Sequence, residues 1–146
     1  MTMALHVRHV GLTVKNLQRA LWFYQDLLGL RVQTRLVEKG PVLEKVLDLE
    51  GVEVETVKLG TGEGNTLVEL LSFRSHPVSD YEGTRLLKSG PTHLAFTVDD
   101  LAGLYEKMKA QGVFFNTAPQ PSADGKVLLT YCQDPDGAWV ELVQPL

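Results

Sequence analysis

An internal repeat constrains the fold of this chain more than any other feature of its sequence. HVGLTVKNLQRALWFYQDLLGL begins at His9, and HLAFTVDDLAGLYEKMKAQGV begins at His93. Both segments start with His and continue with alternating small and apolar residues that end in Thr-Val, followed by a polar pair and a helical pattern. A second pair follows, TLVELLSF from Thr66 and AWVELVQP from Ala138, which share Val-Glu-Leu. Such a repeat predicts two related structural modules.

The repeat also predicts the domain organisation. We expect a single domain over residues 1–146, made of one module at 5–75 and a second at 91–146. The segment 76–90 contains Pro, Ser and Gly and is interpreted as the linker between them.

The first module contains an insertion. From its His to its Glu the first module spans 60 residues, against 48 in the second, which leaves 12 extra residues. The segment 41–52 fits this excess, and its pattern predicts a short helix that begins at Pro41 and stops at Gly51. Such a helix would cover one end of a pocket or pack on the outside.

The periodicity within each module predicts one strand, one helix and then three strands. His9–Val14 alternates, and helical spacing follows from Asn16, a favourable N-cap residue, to a stop at Gly29. The second helix is predicted from Asp100 to a stop at Gly112. The later strands are predicted at 30–37, 53–59 and 65–73, and at 113–116, 126–132 and 138–144. The chain is therefore predicted to be an α+β protein built from two βαβββ modules.

The repeat places one histidine on the first strand and one glutamate on the last strand of each module. These residues are His9 and Glu69 in the first module, and His93 and Glu141 in the second. If the modules pair symmetrically, two imidazoles and two carboxylates converge on one concave sheet face. This set suits a divalent metal such as Zn, Ni, Co, Mn or Fe(II). Both glutamates lie among apolar residues, where an unpaired carboxylate is costly, so a metal or an arginine is expected as their partner.

Other candidate residues have simpler interpretations. His6 competes with His9, but their three-residue offset sends the two side chains to opposite strand faces, and the repeat selects His9. His76 is interpreted as a solvated linker residue. Cys132 is the only cysteine, which excludes an intrachain disulfide, and we interpret it as a buried structural thiol.

Composition narrows the classes of partner. The 146 residues are 44% hydrophobic and 22% charged, as in one ordinary globular domain. The net charge is −4 without a basic stripe, which argues against nucleic acid. The longest hydrophobic run, 20–24, is too short for a membrane span, and Arg8 and His9 interrupt any signal-peptide pattern. We therefore expect a cytoplasmic protein that acts on a small molecule, without nucleic-acid or membrane partners.

The two repeat segments, together with DPDGAWVELVQ near the end of the chain, resemble the vicinal oxygen chelate superfamily. This superfamily includes glyoxalase I, methylmalonyl-CoA epimerase, fosfomycin and bleomycin resistance proteins, and extradiol dioxygenases. The resemblance implies two βαβββ modules that form a U-shaped, barrel-like mixed sheet around a central cleft with a divalent metal. It matches the family's four metal-ligand positions to His9, Glu69, His93 and Glu141.

The resemblance also implies a reaction. Glyoxalase I has a glutamate at the position of Glu69, so we expect a metal-dependent lyase or isomerase of the glyoxalase type. It would deprotonate a carbon next to metal-chelating substrate oxygens, through an enediolate, with Glu141 or Glu69 as the base. The alternatives are a methylmalonyl-CoA epimerase-like isomerase, an Fe(II) extradiol dioxygenase with His9, His93 and Glu141 as ligands, and a non-catalytic small-molecule-binding resistance protein. The resemblance further implies a homodimer, with each metal site inside one chain or shared between two.

Overall fold

The computed structural model describes Met3, residues 5–82 and residues 86–146. The chain divides into two compact units, Met1–Ser79 and Asp80–Leu146. Within the predicted linker 76–90, positions 83–85 lie outside the described residues.

The first unit is a four-stranded mixed sheet in the order β1-β4-β3-β2. Its first and last strands pair in parallel, and the other neighbours are antiparallel. The strands are β1 (His9–Thr13), β2 (Arg31–Lys39), β3 (Glu53–Gly60) and β4 (Leu67–Phe73). Helix α1 (Leu17–Leu21) continues directly as a π-helix, Trp22–Leu27, and α2 (Pro41–Leu47) lies between β2 and β3.

The second unit repeats this topology. Its sheet has the order β5-β8-β7-β6, again with a parallel pair of first and last strands. Its elements are β5 (His93–Thr97), α3 (Leu101–Ala110), β6 (Gln120–Pro121), β7 (Val127–Gln133) and β8 (Trp139–Pro145). The predicted α+β class and the predicted βαβββ repeat are both confirmed.

Local capping chemistry fixes where α1 with its π-helical continuation, and α3, begin and end. The side chain of Asn16 accepts a hydrogen bond from the backbone N–H of Arg19 at 3.0 Å, and Asp100 accepts one from Gly103 at 2.9 Å. The predicted stops, Gly29 and Gly112, have φ angles of 81° and 89°, which residues with a Cβ rarely adopt. The helix boundaries therefore follow the sequence closely.

The hydrophobic core of the first unit involves the π-helix and the central strands. Phe23 and Tyr24 are fully buried and meet edge to face, with ring centroids 4.9 Å apart. Val57 in β3 and Leu70 in β4 are also fully buried. In the second unit, Leu101 and Met108 of α3 are buried, as are Val140 and Leu142 of β8. Because side chains alternate along a strand, the residues between these core positions face the other side of each sheet.

Three expectations about the elements need correction. The helix in 41–52 ends at Leu47, because Asp48 adopts a left-handed conformation (φ 52°) before the expected stop at Gly51. The strand expected at 113–116 is reduced to an isolated bridge at Phe115, and the edge strand forms later, at β6. A proline at either end of the segment 119–121 removes backbone donors there, which keeps β6 short.

The third correction concerns the first helix, which widens into π-helical turns. The N–H of Leu28 donates to the carbonyl of Phe23, five residues earlier, at 3.0 Å.

No residue of α2 is buried. Among the described residues, no helix is both long and apolar enough to cross a membrane.

Candidate functional site

In the first unit, a parallel strand pair brings together the two residues singled out by the repeat. The β1–β4 register places Gly11 opposite Glu69. His9 is two residues before Gly11 on β1, so it lies on the same face of the sheet as the glutamate. His9 Nε2 lies 3.7 Å from Glu69 Oε2. The glutamate side chain is only 12% exposed, whereas the histidine is 35% exposed. The carboxylate is thus largely sheltered, and the imidazole is open to solvent.

Lys58 adds a positive charge to this pair. It is the cross-strand partner of Glu69 in the antiparallel β3–β4 ladder. Its Nζ lies 3.6 Å from Oε2 of Glu69, the same oxygen that His9 approaches. Glu69 is therefore placed between an imidazole and an ammonium group.

In the second unit, the equivalent pair is tighter. His93 Nε2 lies 3.1 Å from Glu141 Oε2, and the two side chains are 29% and 18% exposed. The other ring nitrogen of His93, Nδ1, is hydrogen-bonded to Oγ1 of Thr92 at 2.8 Å. Both edges of the His93 ring are thus held by neighbouring side chains.

Tyr131 occupies the position that corresponds to Lys58. It is the cross-strand partner of Glu141, and its hydroxyl oxygen lies 3.3 Å from His93 Nε2. Its ring packs edge to face on the imidazole, with centroids 5.1 Å apart. Burial raises the pKa of Tyr131, and the negative charge of Glu141 raises it further. The second unit therefore has a neutral phenol where the first has a charged amine.

Aromatic rings continue from Tyr131 along the second sheet. The ring centroid of Trp139 lies 6.5 Å from that of Tyr131 and 6.5 Å from that of Phe114. Phe114 is 56% exposed, whereas Trp139 is buried. Within the described part of the chain, the indole N–H of Trp139 is buried without a hydrogen-bond partner. A series of neighbouring aromatic rings therefore adjoins the His93–Glu141 pair.

The donor set in each unit fits half of a divalent-metal site. At bond lengths of about 2.0–2.2 Å, two ligand atoms on one ion lie about 3–3.5 Å apart, close to the His–Glu distances in both units. Imidazole nitrogen and carboxylate oxygen are ligands that first-row divalent metals accept. Over the residues described, neither unit brings three or more His, Cys, Asp or Glu side chains into a metal-binding group. The four-ligand set of His9, Glu69, His93 and Glu141 thus stays a prediction that needs both units.

The competing candidates lie elsewhere. His6 is exposed and precedes β1. His76 Nδ1 is hydrogen-bonded to Oγ of Ser75 at 2.7 Å in the segment that follows β4. Cys132 is fully buried, and burial raises the pKa of its thiol to about 12, so it is the structural thiol that we expected.

Lys58 and Tyr131 are not among the candidate site residues predicted from the sequence. The signal was available, because the hairpin before each repeated glutamate pairs it with one residue of the preceding strand. Lys58 precedes Glu69 by 11 positions, and Tyr131 precedes Glu141 by 10. Aligning the two hairpins by their turns would have marked both residues as neighbours of the glutamates.

Comparisons with known proteins identify the family and the fold of this chain. The model of the Glyoxalase/Bleomycin resistance protein/Dioxygenase superfamily matches residues 6–142. A lactoylglutathione lyase of Pseudomonas aeruginosa is 32% identical, over 93% of this chain and 80% of its own length. A lactoylglutathione lyase of Haemophilus influenzae is 27% identical, over 96% of this chain and 93% of its own. The crystal structure of a glyoxalase family protein from Bacillus cereus has the same fold, with a TM-score of 0.89, 22% identity, and coverage of 99% of this chain and 97% of that one.

Proposed function

The chain belongs to the Glyoxalase/Bleomycin resistance protein/Dioxygenase superfamily, and we propose that it is a metal-dependent lyase or isomerase of the glyoxalase type. Its substrate would be a small molecule with two neighbouring oxygens, deprotonated at the adjacent carbon through an enediolate. The observation that carries this proposal is the repeated His–Glu pair, at 3.7 Å in one unit and 3.1 Å in the other. The lactoylglutathione lyases among its relatives support the same reaction class.

Each residue has a role in this proposal. His9, Glu69, His93 and Glu141 would hold the divalent metal. When bound, the metal supplies positive charge that acidifies the substrate C–H beside the chelating oxygens. Glu141 or Glu69 takes the proton and returns it to the neighbouring carbon, which a partly sheltered carboxylate can do.

The proposal is tested by metal analysis followed by turnover assays. Protein purified without chelator should contain a stoichiometric divalent metal, and it should convert methylglyoxal–thiol adducts or methylmalonyl-CoA. Glu141→Gln and Glu69→Gln should each lose metal or lower kcat at least about tenfold, because each removes a charged ligand and one of the two candidate bases. Glu38→Gln is a matched control, because Glu38 is also a strand glutamate but hydrogen-bonds Thr56 instead of a histidine. Metal-free protein, or full turnover in both glutamine variants, would overturn the proposal.

One observation favours a second candidate function. The Lys58 ammonium already neutralises Glu69, which leaves His9, His93 and Glu141 as a two-histidine, one-carboxylate set. Such a set suits a non-haem Fe(II) extradiol dioxygenase. After anaerobic loading with Fe(II), this activity would consume oxygen with catechols, and the lyase or isomerase would not.

A further inference from the structure

Lys58 breaks the symmetry of the repeat at the position where each glutamate meets its neighbouring strand. The β3–β4 and β7–β8 ladders pair Lys58 with Glu69 and Tyr131 with Glu141 in the same way. One module therefore carries a full positive charge where the other carries a phenol. A role common to both modules, such as support of the glutamate, would not require this difference.

The ammonium group of Lys58 has donors to offer a ligand. Its distance of 3.6 Å from Glu69 Oε2 exceeds the 2.7–2.9 Å that is typical of a charge-assisted N–H···O bond, so the contact is an ion pair without a short hydrogen bond. An ammonium has three N–H donors and no acceptor. The side chain is 28% exposed, so it is sheltered yet accessible. A small anion can therefore reach it.

The net charge of the proposed metal set also favours an anionic ligand at Lys58. A divalent cation with two glutamates and two neutral histidines has a net charge of zero. Lys58 raises the net charge to +1, in a partly buried setting where an unbalanced charge is costly. A substrate with one negative charge restores neutrality. With a neutral substrate, the positive charge of Lys58 would have no counter-charge once Glu69 binds the metal.

We propose that Lys58 binds a carboxylate of the substrate, so that the substrates of this protein are small oxygen-chelating acids such as 2-oxo acids. This inference rests on the proposed function, because it assigns the substrate class of the same site. Lys58 is then a specificity-determining residue, and its ion pair with Glu69 is the arrangement without substrate.

The experiment compares pyruvate with pyruvamide, which has the same shape but no charge. Both are titrated by calorimetry into the protein with the metal it retains on purification, and again after chelator treatment. The variants are Lys58→Met, Lys58→Arg and Lys39→Met. The last is a matched control, because Lys39 lies at the same distance, 3.6 Å, from the carboxylate of Glu53 in the same unit. Circular dichroism and metal content show whether each variant is folded and loaded.

We expect wild-type protein to bind pyruvate at least about tenfold more tightly than pyruvamide, as one charge-assisted hydrogen bond allows. This preference should disappear in Lys58→Met and persist in Lys58→Arg and Lys39→Met. If Lys58→Met keeps the preference, or wild-type protein binds pyruvate no better than pyruvamide, Lys58 is only a structural ion-pair partner and the inference is wrong. Metal retention without a Lys58-dependent preference would leave the proposed function standing alone. If the protein contains no metal on purification but still shows a Lys58-dependent preference for pyruvate, the inference about Lys58 stands and the proposed metal-dependent function fails.

Discussion

His93 is held at both ring nitrogens, whereas His9 has a contact at Nε2 alone among the described residues. Thr92 hydrogen-bonds its Nδ1, while Glu141 and Tyr131 approach Nε2. A histidine metal ligand is oriented by the hydrogen bond on its other nitrogen. In the proposed site, the Thr92 hydroxyl would therefore hold the His93 ring in place so that Nε2 can bind the metal. His9, which is 35% exposed, has its Nε2 contact with Glu69 at the longer distance of 3.7 Å.

We expect Thr92→Val to raise the metal Kd about tenfold or more, because loss of such an orienting hydrogen bond typically costs 10–100-fold in affinity. Thr92→Ser retains the hydroxyl and should stay close to wild type. Competition with a chromophoric chelator measures both constants. Equal affinities in wild type and Thr92→Val would show that the ring is oriented by its other contacts.

The same residues show what sequence alone can and cannot predict about the site. His9, Glu69, His93 and Glu141 could be selected because a repeat marks equivalent positions by their identity. Lys58 and Tyr131 are not marked by identity, since the repeat places different residue types there, and only an alignment of the two hairpins by their turns points to them. Their importance depends on strand register, which brings residues distant in sequence to adjacent positions.

At the scale of elements, Glu55 ties together three neighbouring strands of the first unit. Arg35 in β2 donates to Glu55 Oε1 at 2.6 Å, and Arg74, just beyond β4, donates to Oε2 at 2.7 Å. The glutamate side chain is 12% exposed. Hydrogen bonds from Arg35, and then from Arg74, hold the pKa of Glu55 below its ordinary value of 4.5.

We expect Glu55→Gln to lower Tm by a few degrees at pH 7. Because the folded state depresses the pKa of Glu55, its stabilising effect is complete above the ordinary value of 4.5 and is lost as the pH falls through the lowered value. The difference between the variant and wild type should therefore shrink as the pH is lowered below 4.5. Thermal unfolding followed by circular dichroism at pH 7 and pH 3 checks this, with the turn variant Glu63→Gln as control. A difference of the same size at both pH values would point to packing instead of charge.

Elements governed by neighbouring residues were predictable, and elements governed by tertiary contacts were not. Asn16 and Asp100 cap their own helices, so the sequence alone marks both starts. The π-helix at Trp22–Leu27 has no comparable local signal, because the buried residues Phe23 and Tyr24 would suit the apolar face of an α-helix equally well. Likewise, β6 depends on a partner strand, and its position could not be read from the alternation at 113–116.

At the scale of the whole molecule, each unit contributes one histidine and one glutamate to the proposed ligand set. We propose that the functional form is a homodimer, in keeping with the long β2 edge strand, in which Val32, Leu36 and Val37 are 39–44% exposed. If these four residues together hold one metal, as we propose, both units would have to be folded for it to bind, whether each site draws on one chain or two.

This predicts that the metal stabilises both units together. At a free metal concentration of 100 times Kd, the free energy of unfolding should rise by about 2.7 kcal/mol. Hydrogen exchange measured with and without metal should show added protection in β4 and in β8 alike. Tm should also increase with protein concentration, as dimerisation requires.

Two results would contradict this prediction. Protection confined to one unit would mean that a single His–Glu pair holds the metal. A Tm that is independent of protein concentration would argue against the homodimer.

The parallel pairing of the first and last strand in each unit also determines the order in which the chain can fold during synthesis. His9 pairs with Leu67, 58 positions later, and His93 pairs with Trp139, 46 positions later. The nascent chain emerges from the ribosome N-terminus first, so β1 has no β4 partner until nearly the whole first unit has emerged. Until then the backbone hydrogen-bonding groups of β1 lack their β4 partner, whereas β2 and β3 are closer together in the sequence and can pair earlier. His9 and Glu69 therefore meet only in the last step of building their unit, and truncated nascent chains lack even this first half of the ligand set.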